Sequence, residues 1–494
     1  MTACFLDRNS KGRPDPRWQT FVFLVLALGV PCLAVAAGKA GKGAEAATTL
    51  TIEVQPSQDR QVIDGFGGAL AFWGFDADEE ALRYAFEDLG ATIVRVPGEV
   101  QTSGKPEEYR AVLERVTRMA PKAQVLLSFW QPRSNAKPNV SDWLEDLGPN
   151  GYALKPSLRG AWADEMVARI QTIRQDWGAN VTVVSVQNEP NYSVPGSVTC
   201  RWEPQALAEF ITRWLAPRLK KAGLAVQLAA PDLASIHDGA AEAKRFHPVN
   251  AAREVPIFSY HMYDCYRHDE TPLGLATMQA RQKALGRYLR EELPGKRVWM
   301  TETTGAQWTG EDWHSLGWRP GMDEHAKALA AARYLHAALV DAGASACLWW
   351  GLTYSLPPPT ITGEEERQKF RDEGLILVEP EKKGGVYPFA EKTPKYYTFK
   401  QFSRFLRPGW VRLEVKEPPR LPVAAFRSPD SRHVAVVIIN SEKSAQAIAP
   451  RVSGRVTYRW AGAYATDRKH RCEPVPWTGA VTAESVTTLI FKAE

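Results

Sequence analysis

Eight short apolar segments alternate with stretches of helical periodicity along this chain, and no other feature constrains its fold as strongly. Short apolar segments are typical of buried parallel strands, and the stretches between them are typical of amphipathic helices. Eight such units within about 300 residues predict an α/β fold of the (β/α)8 TIM-barrel type. The predicted strands are residues 68–72, 92–96, 124–129, 181–186, 225–229, 256–260, 297–301 and 346–350. The clearest helical stretches are residues 156–177, 204–222 and 324–343.

An open, doubly wound sheet is the alternative arrangement for alternating strands and helices. A nucleotide-binding sheet of that kind carries a G-x-G-x-x-G loop directly after its first strand. Here Gly65, Gly67 and Gly68 lack that spacing, and they lead into the predicted first strand instead of following it. The glycine pattern therefore favours the barrel.

The pattern changes after residue 393, where long helical stretches give way to short alternating segments separated by Pro, Gly, Asp and Ser. Such a pattern predicts an appended antiparallel β-sandwich domain. We expect a barrel over residues 63–393 and a sandwich over residues 394–494. Residues 49–62, which precede the barrel, also alternate and are expected to pair with the sandwich. The predicted sandwich strands are residues 411–415, 434–440, 455–460 and 486–491.

The N-terminus has the order of a secretory signal, with basic residues first, then the apolar run 21–37 ending in Ala-Val-Ala and small residues. Residues 1–37 are therefore expected to be a signal peptide or an uncleaved anchor, followed by a linker over residues 38–48. The predicted location is outside the cell or in its envelope, with membrane contact only through that anchor. A net charge of +5 without a long basic run gives no case for nucleic-acid binding. The chain is expected to be a monomer.

Two of the predicted strands lead directly into a glutamate: 183–190 contains Glu189, and 298–303 contains Glu302. In a (β/α)8 barrel the C-terminal ends of the strands form the catalytic face. Two carboxylates at that face, one protonated and one ionised, can cleave a glycosidic bond with retention if they stand roughly 5–5.5 Å apart. The pair predicts a retaining glycosidase that needs no metal or organic cofactor.

In this order along the chain, several short motifs resemble glycoside hydrolase family 30, and the resemblance covers about residues 50–494. The motifs are Ile-Asp-Gly-Phe-Gly-Gly at 63–68, Val-Arg-Val-Pro at 94–97, Ser-Val-Gln-Asn-Glu-Pro at 185–190, His-Met-Tyr at 261–263, Trp-Met-Thr-Glu at 299–302 and the segment 396–409. The family's members are retaining β-glycosidases built from a (β/α)8 barrel and a β-sandwich. The resemblance implies that Glu189 is the general acid/base and Glu302 the nucleophile.

The same resemblance implies further roles around this pair. Asn188 is expected to bind the 2-hydroxyl of the sugar, and Arg95 to lie beneath the carboxylates, where its charge keeps a nucleophile ionised. His261 and Tyr263 are expected to line the floor of the site. The aromatic platforms for sugar rings are expected to be Trp130 and one of Trp349 and Trp350, since adjacent residues of a strand point to opposite faces.

The cysteines add one structural expectation. Cys200 and Cys265 follow the fourth and sixth predicted strands and could form a disulfide in an oxidising compartment. Cys347 lies within an apolar strand and is expected to be a buried free thiol.

The departures from the family pattern bear on the substrate. The short first strand–helix unit and the segment Cys-Arg-Trp-Glu-Pro at 200–204 are closer to the xylanase-like members than to the glucosylceramidase-like members. The loop 351–359 contains no Arg, whereas members specific for glucuronoxylan carry Arg there to bind the acidic side group. The expected substrate is a β-linked polysaccharide cut internally, with xylan first. The alternatives are an endo-β-1,6-glucanase or galactanase, a glucosylceramidase-like enzyme, a non-catalytic carbohydrate-binding barrel and an envelope structural protein.

Overall fold

We analysed a computed structural model of the chain, which describes one compact unit within residues 47–494. The described residues are 49–70, 76–99, 106–133, 139–193, 198–236, 238–263, 275–304, 306–308, 313–315, 323–418, 420–454 and 456–494. The predicted signal and linker, residues 1–48, lie outside them. None of the helices in the described ranges combines the length and the hydropathy that a membrane span requires.

The described ranges contain 23 strands. In chain order they are β1 Leu50–Val62, β2 Gly65–Ala69, β3 Ile93–Pro97, β4 Gln124–Ser128, β5 Leu144–Asp146, β6 Tyr152–Leu154, β7 Val181–Ser185, β8 Gln227–Leu233, β9 Ile257–His261, β10 Arg297–Glu302, β11 Ala306–Trp308, β12 Trp313–Ser315, β13 Ala346–Ser355, β14 Gly374–Val378, β15 Phe389–Lys392, β16 Val411–Lys416, β17 Val423–Arg427, β18 His433–Asn440, β19 Gln446–Val452, β20 Tyr458–Thr466, β21 Arg471–Pro474, β22 Ala480–Val481 and β23 Ser485–Ala493.

The helices lie mainly between the strands of the first half. They are α1 Glu79–Arg83, α2 Pro106–Met119, α3 Val140–Trp143, α4 Arg159–Gln171, α5 Pro204–Glu209, α6 Ala216–Lys221, α7 Ala241–Arg245, α8 His247–Asn250, α9 Leu275–Glu292, α10 Glu324–His336, α11 Glu364–Glu373 and α12 Pro394–Ser403. Wider turns extend α1 over Tyr84–Asp88, α4 over Thr172–Asp176 and α10 over Ala337–Ala342, and join α5 to α6 over Phe210–Leu215. Short 3₁₀ turns cover Gly148–Asn150 and Pro156–Leu158.

Eight parallel strands close into a barrel, which confirms the predicted fold class. Their order is β2, β3, β4, β7, β8, β9, β10 and β13, and β13 pairs with both β10 and β2. One interior layer is apolar and takes one residue from most of the strands, including Ile93, Val183 and Trp299. Two residues further along these strands stand Arg95, Ser185 and Thr301, all fully or almost fully buried. A polar layer thus lies above an apolar layer, at the C-terminal end of the barrel.

The first barrel strand begins earlier than the sequence predicted, at Gly65 rather than at residue 68. The glycines that we placed before the strand form the strand itself. A Cβ at Gly67 would stand 1.7 Å from the carbonyl oxygen of Ile93, and one at Gly68 would stand 2.5 Å from that of Trp349. Glycine is therefore required here because the neighbouring strands approach too closely for a side chain.

The C-terminal strands form one curled, nine-stranded sheet in the order β21-β20-β23-β18-β17-β16-β1-β19-β22. Its pairings are antiparallel except that β1 runs parallel to β19, with Leu50 opposite Ile448. Side chains alternate between two cores: Val423 and Ala425 face the core inside the sheet, whereas Ala424 and Phe426 join the core shared with the barrel.

Helix α12 connects the two parts through polar side chains as well as through packing. The hydroxyl of Tyr396 and the ammonium of Lys400 each donate to the carboxylate of Asp88, at 2.6 Å, on the barrel side. On the sheet side, Thr488 Oγ1 donates to Gln401 Oε1 at 2.6 Å. Barrel and sheet therefore pack against each other through a buried interface to which α12 contributes hydrogen bonds on both sides.

Candidate active site

Glu189 and Glu302 meet at the C-terminal end of the barrel. Glu302 is the last residue of β10, and Glu189 lies four positions after the end of β7. One carboxylate oxygen of each lies within 4.8 Å of the other and of a ring nitrogen of His261. Both are largely buried, since Glu302 is 5 % exposed and the Glu189 side chain is 15 % exposed. The two strand-end glutamates therefore form one site.

The carboxylate of Glu302 is held on both oxygens. Tyr263 donates its hydroxyl to Oε1 at 2.9 Å, and the fully buried Arg95 donates Nη1 to Oε2. Burial alone would lower the pKa of Arg95, but the charges of Glu302 and Asp232 outweigh it and raise that pKa. Arg95 is thus a permanent positive charge beneath Glu302, in the position inferred for it from the sequence.

His261 is fully buried on the floor of the site and contacts the other glutamate. Its Nδ1 lies 3.0 Å from Glu189 Oε1. Burial favours the neutral ring, but the charges of Glu302 and Asp232 and the hydrogen bonds prevail and raise the pKa of His261 to about 10. The ring is therefore an imidazolium at neutral pH, and both of its nitrogens are donors.

Glu189 is the carboxyl group of the pair whose pKa is raised. Burial raises the pKa of Glu189, and the negative charge of Glu302 raises it further, while the hydrogen bond from His261 opposes both. A carboxylic acid beside an ionised carboxylate is the division of roles that glycoside cleavage needs.

Asn188 lies beside the pair of glutamates, and only the oxygen of its side-chain amide is hydrogen-bonded. Its Oδ1 accepts from Arg95 Nη2 at 2.6 Å. Its Nδ2 is buried and has no hydrogen-bond partner among the described residues. A buried amide donor without a partner is costly, so the position suits a substrate hydroxyl that would accept this hydrogen bond.

Asp232 is a site residue that the sequence reading missed. It follows Ala230 and Pro231 near the end of β8 and is fully buried. Ser185 donates its hydroxyl to Asp232 Oδ2 at 2.6 Å, and the same oxygen lies 3.5 Å from Arg95 Nη2. Its Oδ1 accepts from the hydroxyl of Thr301. The signal was present, because Asp232 closely follows the predicted strand 225–229 as the two glutamates follow theirs.

Two further carboxyl groups near the site were also missed. Glu99 follows β3, is almost fully buried and accepts a hydrogen bond from the backbone N–H of Trp130. Burial raises its pKa to about 7 against the opposing backbone donors. Glu373 ends α11, and burial together with the charges of Asp372 and Glu302 raises its pKa to about 8.

The aromatic residues divide as strand alternation requires. Trp350 points into the barrel mouth, where its ring centroid lies 5.8 Å from that of Trp130. Trp349 points outward: it is fully buried against Phe399, and its Nε1 donates to the carbonyl of Glu373 at 3.1 Å. Of the two alternatives, Trp350 is therefore the platform candidate, and Trp349 is a packing residue.

The cysteine expectations have different outcomes. Cys347 is a buried free thiol, as predicted. Cys200 is also buried, next to the segment that follows Glu189. Its expected partner Cys265 lies outside the described residues, so the disulfide stays a prediction.

Glu189, His261 and Glu302 are close enough together to be considered as ligands of a cation. The charges of these three side chains and of their neighbours disfavour metal binding. His261 is protonated at neutral pH, and Arg95 already neutralises Glu302. An imidazolium offers no lone pair to a metal, so the trio suits acid–base chemistry better than metal binding.

Comparisons with known proteins bear on the fold and the relatives of the chain. No family model matches the chain. The chain is 24% identical over 429 residues to Glucuronoxylanase XynC of Bacillus subtilis (strain 168), an alignment that covers 85% of this chain and 84% of that protein.

Two solved structures show the same fold. The catalytic domain of GH30 xylanase C from Talaromyces cellulolyticus aligns with a TM-score of 0.65 and 21% identity, over 90% of this chain and 100% of that one. An endo-β-1,6-glucanase aligns with a TM-score of 0.62 and 17% identity, over 92% of this chain and 96% of that one.

The fold and the paired carboxylates define the class: the chain is a (β/α)8-barrel O-glycoside hydrolase. Within that class, the resemblance to glycoside hydrolase family 30 is supported by a sequence similarity to glucuronoxylanases and by a fold shared with solved GH30 xylanases.

Proposed function

We propose that the chain is a retaining, xylanase-like endo-glycosidase that cleaves the backbone of a β-linked polysaccharide by double displacement. One observation carries the proposal: the reacting carboxyl groups approach within 4.8 Å, oxygen to oxygen. Retention requires carboxyl groups about 5–5.5 Å apart, whereas inversion requires about 6.5–9.5 Å to admit a water molecule between the substrate and its base. The observed approach leaves no room for that water.

The two steps follow from the environments of the two glutamates. In the first step the carboxylate of Glu302 attacks the anomeric carbon while protonated Glu189 gives its proton to the leaving oxygen. The glycosyl ester formed on Glu302 removes a negative charge from beside Glu189. Because that charge was one cause of the raised pKa, the pKa of Glu189 falls, and the carboxylate left by the proton transfer stays ionised. In the second step it is then ready to take a proton from the attacking water.

Asn188 and Arg95 support the same transition state. The free Nδ2 of Asn188 can donate to the 2-hydroxyl of the sugar, a contact that strengthens as positive charge develops on the ring. Arg95 and Tyr263 hold the attacking carboxylate on its two oxygens. Orientation of this kind lowers the barrier because the reacting atoms need no reorganisation.

The choice of xylan rests on the sequence relative named glucuronoxylanase and on the xylanase-like segment 200–204. Because residues 351–359 contain no Arg, we propose that an acidic side group is not needed for binding. We further propose, from the sequence alone, that residues 1–37 direct the chain to the cell envelope or outside the cell and that it acts as a monomer. N-terminal sequencing of the exported protein and its sedimentation would test these two points.

The deciding experiment measures product release by the full chain from xylan, glucuronoxylan, β-1,6-glucan, β-1,6-galactan and glucosylceramide. Glu302→Gln is the matched control, since it keeps the side-chain shape and removes the nucleophilic charge. Oligosaccharides from xylan and glucuronoxylan at comparable rates, absent in the control, are the expected result. Product release from a β-1,6-linked polymer alone would contradict the xylan assignment. No product from any of the substrates with a well-folded protein would favour the carbohydrate-binding alternative.

A further inference from the structure

Asp232 has no part in the two displacement steps, although it lies at the centre of the charged floor. Its side chain is fully buried below the glutamates and has no access to a substrate. It is 3.5 Å from Arg95 and 3.6 Å from Nε2 of His261, the ring nitrogen that points away from Glu189. Ser185 and Thr301 fix both of its oxygens by hydrogen bonds. Asp232 thus contacts both cations of the floor at once.

The charges on this floor balance only if Asp232 is counted. Arg95 and protonated His261 contribute two positive charges. The nucleophile Glu302 contributes one negative charge, and Glu189 contributes none while it is protonated. The second negative charge comes from Asp232, whose pKa the cations and Ser185 hold well below its usual range despite burial. An unbalanced charge would be costly in so buried a place.

We propose that Asp232 is a positioning residue for the proposed reaction: its fixed carboxylate is the counter-charge that holds His261 and Arg95 in place as cations beneath the catalytic pair. It acts through those two residues and not on the substrate. His261 then always presents Nδ1–H to Glu189, and Arg95 remains beneath Glu302. The inference rests on the proposed function only for its kinetic consequence.

The direction of that consequence follows from Coulomb's law. The groups facing Asp232 are Arg95 on β3, His261 on β9, Glu302 on β10 and, beyond the imidazole, Glu189 after β7. Removing a negative charge makes every proton on this cluster easier to lose and harder to gain. The coupled pair of Glu189 and His261 would lose its first proton at lower pH.

The experiment compares wild type with Asp232→Asn, which keeps the size of the side chain and removes its charge. The kcat/KM against an activated aryl β-xyloside is measured across pH. We expect the basic limb of the bell-shaped profile, which reports the coupled Glu189 and His261 pair, to move to lower pH by about one unit. Asp64→Asn is the matched control, because Asp64 also binds an Arg, Arg297 at 2.8 Å, and a Ser hydroxyl, Ser345 at 2.6 Å, at the opposite end of the barrel. A purely structural loss would lower the rate without moving that limb.

A second readout does not depend on catalysis. In protein labelled at the histidine ring, the signal of His261, assigned with His261→Gln, reports its protonation by NMR. We expect a protonated ring in wild type from about pH 5 to about pH 9, and a titration within that window in Asp232→Asn. An unchanged basic limb together with an unchanged His261 titration in a folded Asp232→Asn would overturn the proposal. If that variant does not fold, the NMR titration of the wild type still tests the proposal, because a neutral His261 ring at pH 7 would overturn it. If wild type turns over no glycoside, the proposed function fails while the NMR result still tests the role of Asp232.

Discussion

The backbone N–H of Glu189 donates to the carbonyl of Asp232 at 3.0 Å, and both residues have left-handed backbone conformations, with φ of 48° and 61°. Such conformations cost non-glycine residues on the order of 1 kcal/mol each or more, so they persist only where the surroundings impose them. The hydrogen bond joins the segments that follow β7 and β8. It holds Glu189, the proposed general acid, next to the residue that we infer to balance the cations of the floor.

The role of Glu189 predicts a defect that depends on the leaving group. Glu189→Ala should lower kcat on xylan roughly 100- to 10,000-fold, because an alkoxide leaves poorly without a proton. An activated aryl glycoside, which needs no proton, should still form the glycosyl ester on Glu302. Added azide should then restore turnover and yield the β-glycosyl azide. A product of inverted configuration, or no azide adduct at all, would contradict the double-displacement assignment.

Much of this site follows from the periodicity of the strands. Glu302 ends a predicted strand, Glu189 closely follows one, and Arg95 lies within one, so a closed barrel must bring all three to one face. The alternation rule also predicts that only one of Trp349 and Trp350 faces the barrel mouth. It could not say which, because β13 is buried on both faces and so has no polar side to show which residues point inward.

The parts that the sequence did not predict depend on contacts between distant segments. Glycines usually weaken strands, and residues 65–67 were placed before the first strand. The structure shows that the backbones of Ile93 and Trp349 approach Gly67 and Gly68 too closely for a side chain, so glycine is required within this strand. Asp232 was missed because its partners are separated from it by about 30 to 140 residues along the chain. Glu99 was missed because its partner is a backbone N–H, which no sequence pattern marks.

Asn188 predicts a hydrogen bond that exists only with substrate bound. Asn188→Ala should reduce kcat/KM by about 10- to 100-fold. This loss corresponds to about 1.4 to 2.8 kcal/mol of transition-state stabilisation from one hydrogen bond that strengthens in the transition state. The measurement compares aryl glycosides with and without the 2-hydroxyl. Wild type and variant should differ on the former and agree on the 2-deoxy substrate. An equal loss on both substrates would mean that Asn188 acts only by holding Arg95.

The two adjacent tryptophans predict opposite effects of the same substitution. Trp350→Ala should raise KM for oligosaccharides and alter the product pattern, because its ring lies at the barrel mouth beside Trp130. Trp349→Ala should lower the free energy of unfolding by roughly 3–5 kcal/mol, since it opens a cavity in the shared core. Denaturant unfolding and steady-state kinetics of both variants check this, each serving as the control for the other. Equal kinetic defects at equal stability would contradict the opposite orientations.

Glu99 predicts a pH-dependent stability. Its pKa is raised from an ordinary 4.5 to about 7 in the fold because burial penalises the charged form. A raised pKa means that the folded state binds the proton more tightly than the unfolded state. The associated stability is therefore complete below about pH 4.5 and is lost as the pH rises through about 7. The full difference is roughly 3 kcal/mol, at about 1.4 kcal/mol for each unit of pKa.

Glu99→Gln removes that titration while an amide oxygen can still accept the backbone N–H of Trp130. We expect the variant and wild type to have similar unfolding free energies near pH 5, and the variant to be the more stable above about pH 8. Denaturant unfolding across pH tests this, with the exposed Glu107→Gln on α2 as the control that should follow wild type throughout. A constant difference at all pH values would show that the carboxyl of Glu99 ionises no less readily in the fold than in the unfolded chain. The charge on Glu99 would then have no bearing on the stability of the segment that carries Trp130.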